Sequence, residues 1–265
     1  MTDFRNRYQA CFYHLVSSVI VAGAILIIAK LFWYPGELMA VAGATKIFLL
    51  VILVDAGLGP LLTFVLFDVN KSQKALRVDF TFIIGLQICA LIYGSYTLFG
   101  GRPVYYVFSV DRFELVQAND IPKGFLNDEI DGAYKKLPIS RPQWVFAEMP
   151  EDAAGRNEIL SNLLKYGADL AQTPKYYRPL EGDNIAVRDA LRPISDLLYG
   201  NQRDSINKAM KELSLPTLSE PPLASGDNYR YLPMIGKEKD LTIIMSKDSL
   251  QVEGVVNLSP WIEGE

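Results

Sequence analysis

Residues Val51 to Phe67 read VILVDAGLGPLLTFVLF, an apolar run that holds one carboxylate, Asp55, and then two helix-disturbing residues, Gly59 and Pro60. A segment this oily calls for lipid, and an ionisable side chain there is costly enough that it faces a helix partner, a wet cavity or a ligand. The stretch therefore decides the fold class: a membrane protein with a polar feature inside its bundle.

Two further apolar runs flank it, roughly Cys11 to Phe32 and Phe80 to Phe99. Each is about the 20 residues that a helix needs to cross a hydrocarbon core. The middle run is apolar from Leu38 to Phe67, longer than one crossing requires, so it tilts, protrudes or bends at Gly59-Pro60. Lys46 in its first part favours a crossing of about 42–67. A cleaved signal peptide is the other reading of the first run. Its apolar length exceeds the usual roughly 7 to 15 residues, and the small triplet Ala22-Gly23-Ala24 lies inside it, so an uncleaved anchor is expected.

Arg5 and Arg7 precede the first run, and Lys71, Lys74 and Arg77 fill the loop after the second, whereas the loop from Trp33 to Leu38 holds only Glu37. Positive charge prefers the cytoplasm, so the amino terminus and the second loop are expected inside, and everything after Gly100 outside. Composition shifts at that border. Residues 1–99 carry 7 basic and 5 acidic side chains, net +2, and residues 100–265 carry 19 and 25, net −6. An acidic outer domain has no electrostatic footprint for nucleic acid. Two domains follow: a three-helix transmembrane domain over 1–100, and a soluble domain over 101–265 large enough for one core.

Both cysteines, Cys11 and Cys89, lie in apolar runs, so the outer domain has no disulfide to form, as suits a bacterial periplasm. With a single histidine, His14, no zinc or iron-sulfur ligand set of the usual spacing exists, and neither metal nor cofactor is expected. The chain has no phosphate loop, no nucleophile elbow and no histidine outside the membrane runs to act as a base. A non-enzymatic role is the expectation.

In the outer domain, RPVYYVFSVDRFELV from Arg102 alternates β-branched and aromatic residues, a strand signal buried on both faces. A Pro-, Gly- and Asp-rich loop from Asn119 to Pro142 precedes a short apolar piece at Gln143 to Phe146, a second candidate strand. Ile159, Leu160, Leu163 and Leu164 mark one face of a helix over about 152–171. Val187 to Leu198 continues the helical spacing, with Pro193 kinking or splitting it, and Ile206, Met210 and Leu213 suggest another short helix. A connector from Pro216 to Pro222 leads to LTIIMSKDSLQVEGVVNL, two apolar runs around a Ser-Lys-Asp-Ser turn that read as a hairpin. The domain is expected to be α+β, with one antiparallel sheet covered by helices on one face.

Two readings of Asp55 stand: it holds the bundle together by hydrogen bonding, or it faces a partner. His14 reads as an interfacial hydrogen-bonder, since straight helices place it too far from Asp55 for a direct pair. Gly57 and Gly59 permit close helix approach, and Pro60 removes the amide that would bond the Ala56 carbonyl, leaving either a carbonyl open to a donor or an ordinary kink. Asp111 and Arg112 suggest an ion pair at a strand end. Trp33-Tyr34 reads as an interfacial aromatic anchor.

The ordered set HLVSS (14–18), WYPGEL (33–38), VDAGLGPLLTFVLF (54–67), LQICALIYG (86–94), RPVYYVFSVDRFELV (102–116) and SPW (259–261) resembles the TfpX/TfpZ family of type IV pilin accessory proteins almost end to end. From about Pro122 to Tyr231 little of the pattern is recognisable. The resemblance implies a bacterial inner-membrane helper, not a pilus subunit, whose partners are the major type IV pilin subunit, inner-membrane lipid and other pilus-assembly proteins. A prepilin-type leader is not expected, since Asp3-Phe4 does not match one. On this reading the bundle shelters the pilin's apolar helix, with Gly57 and Gly59 in close contact. Asp55 would meet a polar group there, and two buried carboxylates, Asp55 and a pilin glutamate, would repel unless one kept its proton. The alternative is an enzyme or enzyme subunit modifying pilin or a surface glycan, with a site near Arg102, Asp111 and Arg112.

Overall fold

A computed structural model describes residues 2–127, 130–180, 184–218 and 228–261. The chain forms two compact bodies, one of Met1–Met39 with Gly43–Arg102 and one of Ala40–Ala42 with Pro103–Glu265.

In the first body, α1 (Thr2–Ile28) runs into a π-helical turn, Ala29–Trp33. After a single turn, α2 (Leu38–Val41), whose last two residues count with the second body, the middle helix begins as α3 (Ala44–Ile52), widens to a π-helix at Leu53–Leu58 and ends as α4 (Gly59–Leu66). The last helix is α5 (Gln73–Gly100), opened by Ser72, whose side chain accepts the Ala75 N–H. Three helical stretches, Arg5–Trp33, Ala44–Leu66 and Gln73–Gly100, are long and apolar enough to cross a membrane. At most 28% of each one's apolar window is buried within the protein, which leaves the rest for a hydrocarbon solvent.

Both α1 and α5 pack on the middle helix. Gly94 of α5 makes room for Val51, because a Cβ there would overlap the valine side chain. Tyr34 is fully buried and donates to the Leu98 carbonyl at 2.7 Å, and the Trp33 ring meets Phe99 edge-on. The aromatic pair expected at a lipid interface thus ties the end of the first span to the end of the third.

The second body is built on one eight-stranded sheet. Its elements, in chain order, are β1 (Pro103–Ser109), β2 (Arg112–Gln117), β3 (Gln143–Ala147), α6 (Ala153–Tyr166), β4 (Tyr177–Pro179), α7 (Ile185–Ala190), β5 (Arg192–Pro193), α8 (Arg203–Glu212), β6 (Tyr229–Ile235), β7 (Leu241–Ser246) and β8 (Val252–Val256). The strand order is β4-β3-β1-β2-β6-β7-β8, with β5 added to β6. The sheet is mixed, which corrects the antiparallel expectation: β1 pairs with β3, and β2 with β6, in parallel. Both pairs are joined by excursions of well over a dozen residues, long enough to bring the chain back in the same direction.

The stretch expected as one strand is a hairpin, turning at Val110-Asp111 between Ser109 and Arg112. Val110 has φ 60 and the Asp111 N–H bonds the Ser109 carbonyl, a tight turn built without the usual Gly or Asn. The hairpin around Ser246–Ser249 forms as expected between β7 and β8. Of the connector Pro216 to Pro222, residues from 219 on lie outside the described residues.

Strand register places Tyr105, Val116, Tyr231 and Ile244 on one face of the sheet. Two core clusters grow there, one taking Ile159 of α6 and the other Ile206 and Met210 of α8. On the opposite face, Tyr106 stacks on Trp144, while Phe108, Phe113 and Phe146 form a ring cluster. The expected helix at 152–171 ends at Gly167, which sits at φ 68 as its left-handed cap. The face expected to line the core is mostly outside: Ile159 is buried, but Leu160, Leu163 and Leu164 are 54%, 42% and 78% exposed. Pro193 splits the next helical run into α7 and a 3-10 segment, Ile194–Tyr199.

Candidate functional site

A cluster of polar side chains crosses the first body at mid-span. Asp55 is the twelfth of the 23 residues in Ala44–Leu66, and Gln87 the fifteenth of the 28 in Gln73–Gly100. The local backbone explains how they meet. In the π-helical segment each N–H reaches five residues back, and that of Gly59 bonds the Val54 carbonyl. The next amide in that register would serve Asp55, but residue 60 is proline and has none. The Asp55 carbonyl instead accepts from Gln87 Nε2 at 3.1 Å. The open carbonyl is thus that of Asp55 rather than of Ala56, because the wider register moves the proline's missing bond by one residue.

Gln87 is held in turn. Its Oε1 lies 2.8 Å from His14 Nε2, and its amide nitrogen also reaches Ser18 Oγ at 3.4 Å. The other ring nitrogen of His14 meets Thr63 Oγ1 of α4. His14 therefore bonds across the bundle to both other spans, and Gln87 stands between it and Asp55. Gly59 is what permits this: a Cβ there would collide with the Gln87 amide and crowd His14 Nε2 at 3.1 Å. Gly57 is exposed, and a Cβ on it would touch only Leu53 Cδ1 at 3.6 Å.

Asp55 itself is 4% exposed, and its Oδ1 has no hydrogen-bond partner among the described residues. It lies at the bottom of a groove of about 470 Å³, whose walls are Ala10, Tyr13, Ser17 and Val21 of α1 and Phe80, Ile84, Ile88 and Leu91 of α5. A carboxylate so placed can accept one strong hydrogen bond from whatever fills the groove.

The remaining candidates lie apart from this cluster. Arg102 is buried at the end of the first body, where it donates to the Phe99 carbonyl and stacks on the Phe99 ring at 3.9 Å. Burial lowers its guanidinium below the usual arginine value, and burial also pushes the Tyr34 hydroxyl well up. In the second body, Asp111 and Arg112 form the expected ion pair at 2.6 Å, and the hydrogen bond that Arg112 donates to the Asp111 carboxylate raises the guanidinium above the usual arginine value. Arg112 also faces the ring of Trp261 at 5.5 Å, whose indole N–H bonds Asp240. Two sequence motifs distant in the chain, the hairpin VDRF and the closing SPW, are thereby joined.

Sequence reasoning singled out Asp55, Gly59, Pro60 and His14 but passed over Gln87, Thr63 and Ser18. Their signal was present, since each is a polar residue within an apolar run.

Comparison with known proteins places the chain. No protein-family profile and no solved structure matches it. It is 27% identical over 247 residues, 90% of this chain and 94% of the relative, to the fimbrial assembly protein of serogroup I of Dichelobacter nodosus, with the same figures for that of serogroup E1. With the fimbrial assembly protein of serogroups C1 and C2 of that organism, it shares 36% identity over 108 residues, 41% of this chain and 82% of the relative. At that level of identity over most of the relative's length, the chain belongs to the family of fimbrial assembly proteins.

Proposed function

We propose that this protein is a non-enzymatic, inner-membrane accessory protein of the TfpX/TfpZ type, which binds its cognate type IV pilin and promotes the pilin's stability or its assembly into pili. The amino terminus and the loop from Asp68 to Asp79 would be cytoplasmic and the second body periplasmic, as the distribution of Lys and Arg suggests. The names of its relatives support a role in assembly. The observation that carries the reading is a buried oxygen of Asp55 that has no partner among the described residues, inside a bundle of three helices long and apolar enough to span a membrane. Such a group is costly unless something supplies a bond to it, and a pilin subunit waiting in the membrane brings an apolar helix interrupted by a polar residue. The second body would hold the pilin's exported head at the same time, and two contacts on one tethered partner let each be weak.

The test is complementation of a deletion strain with wild-type, Asp55→Ala and Asp55→Asn proteins, reading pilin abundance and surface piliation. Deletion should lower both, and Asp55→Ala should restore them poorly although the protein itself accumulates. Wild-type pilin and piliation in the deletion strain would refute the reading.

A further inference from the structure

We propose that the groove between α1 and α5 seats a fourth transmembrane helix, and that this helix brings a hydrogen-bond donor to the Asp55 carboxyl group, which lines the groove. The identity of the helix's owner, the pilin, rests on the function proposed above; the groove and its chemistry do not.

Three observations converge. First, among the described residues no neighbouring donor reaches Asp55 Oδ1: Gln87 Nε2 serves the Asp55 carbonyl and Ser18, His14 Nε2 is on Gln87 Oε1 with its other ring nitrogen on Thr63, Ser17 serves the His14 carbonyl, and the Ser18 hydroxyl, which accepts from Gln87, makes no bond to the carboxyl. The groove is then the open side from which a further donor can come. Second, the position rules out the simplest outside sources. Asp55 is central in its span, about 17 Å from either end at roughly 1.5 Å per residue, where bulk water and lipid headgroups do not reach and acyl chains have no donor to give. Third, the groove has the proportions of a helix seat. It extends from Ala10 to Val21 on one wall and from Phe80 to Leu91 on the other, about 16 Å or three helical turns on each. The rims Tyr13, Ile84 and Ile88 are exposed, so the groove opens outward along its length.

A helix lying there would touch α1 and α5 with apolar side chains and set one hydroxyl, amine or protonated acid against the carboxylate. Since only this one bond is directional, it fixes the depth of the incoming helix, while the apolar walls set its tilt.

Cysteine cross-linking in native membranes tests this, with Cys11 and Cys89 first replaced by alanine. Ser17 and Ile88 line the groove, and Val19 and Leu86 face away from it. The expected result is cross-linking of Ser17→Cys and Ile88→Cys to cysteines placed along the pilin helix, and none from Val19→Cys or Leu86→Cys. Asp55→Leu should reduce the yield roughly three- to thirtyfold, the range that one interhelical hydrogen bond spans in a membrane. Asp55→Asn, which keeps the shape and an acceptor oxygen, should retain more than half. Equal yields from groove and outward positions overturn the proposal, as do cross-links only to a second copy of this chain. If pilin co-purifies with the protein yet never cross-links in the groove, the groove proposal falls and the pilin reading stands. Groove cross-links to the helix of another protein, lost in Asp55→Leu, would uphold the groove as a helix seat and overturn the pilin as its occupant.

Discussion

At the scale of single residues, the polar cluster depends on a substitution of one donor for another. Pro60 takes an amide from the Asp55 carbonyl and Gln87 returns one. Gln87→Leu should destabilise the detergent-solubilised protein by about 1 to 2 kcal/mol, since it orphans that carbonyl and the His14 ring nitrogen together. Pro60→Ala restores the main-chain donor, so the double variant should recover part of the loss. A denaturant double-mutant cycle measures this, and strictly additive effects would show that the two residues do not share the carbonyl. A second prediction concerns Glu114 on β2. Burial raises its carboxyl above the ordinary range, with the Gln172 hydrogen bond offsetting part of the effect. A carboxyl raised in the fold contributes fully below its unfolded value, about 4.3, and costs stability as pH climbs through the folded one. Glu114→Gln should therefore raise the unfolding temperature at pH 7, and its advantage should vanish near pH 4. An advantage that grows on acidification would contradict the sign.

Among the secondary-structure elements, the β1–β2 hairpin is the least conventional. Its tip puts Val110, exposed and β-branched, at φ 60, where such a residue is rarely found. Val110→Gly should stabilise the second body by about 1 kcal/mol, because relief of the strained turn exceeds the added chain entropy. A lower unfolding temperature for Val110→Gly would show that the valine side chain contributes packing. The same tip explains why two strands read as one: Ser-Val-Asp-Arg carries no turn dipeptide, and its neighbours alternate without a break. Spans were legible because apolar length alone defines them, and Asp55 because a charge breaks the pattern. Gln87 was visible only as a polar residue in an apolar run; its role was not legible, since its partner carbonyl is open only in the π register, which no side chain announces. The face of α6 was misread because leucine spacing gives the apolar side of a helix but not whether anything covers it. Leu160, Leu163 and Leu164 have the right period and no cover from the described residues of the second body. The parallel pairings were hidden for a related reason, since strand direction is set by the length and path of connections rather than by the strands' own residues.

At the scale of the whole molecule, two bodies with different solvents divide the proposed work. The first exposes apolar surface that only lipid or another helix can satisfy, and it keeps one carboxylate oxygen without a bond among the described residues. The second buries or half-buries the aromatic and aliphatic residues of its sheet on both faces and carries the acidic excess of the chain. On the proposed reading a pilin would offer matching halves, an apolar helix and an exported head, so that binding at either half would raise the local concentration of the other. The most direct measurement is affinity capture of the full-length protein from native membranes, in gentle detergent, with the co-purifying proteins identified. The major pilin subunit should be recovered with the wild-type protein and at severalfold lower yield with Asp55→Leu. Capture of a stable, abundant wild-type protein with no enrichment of pilin over an unrelated three-span membrane protein would contradict the central claim.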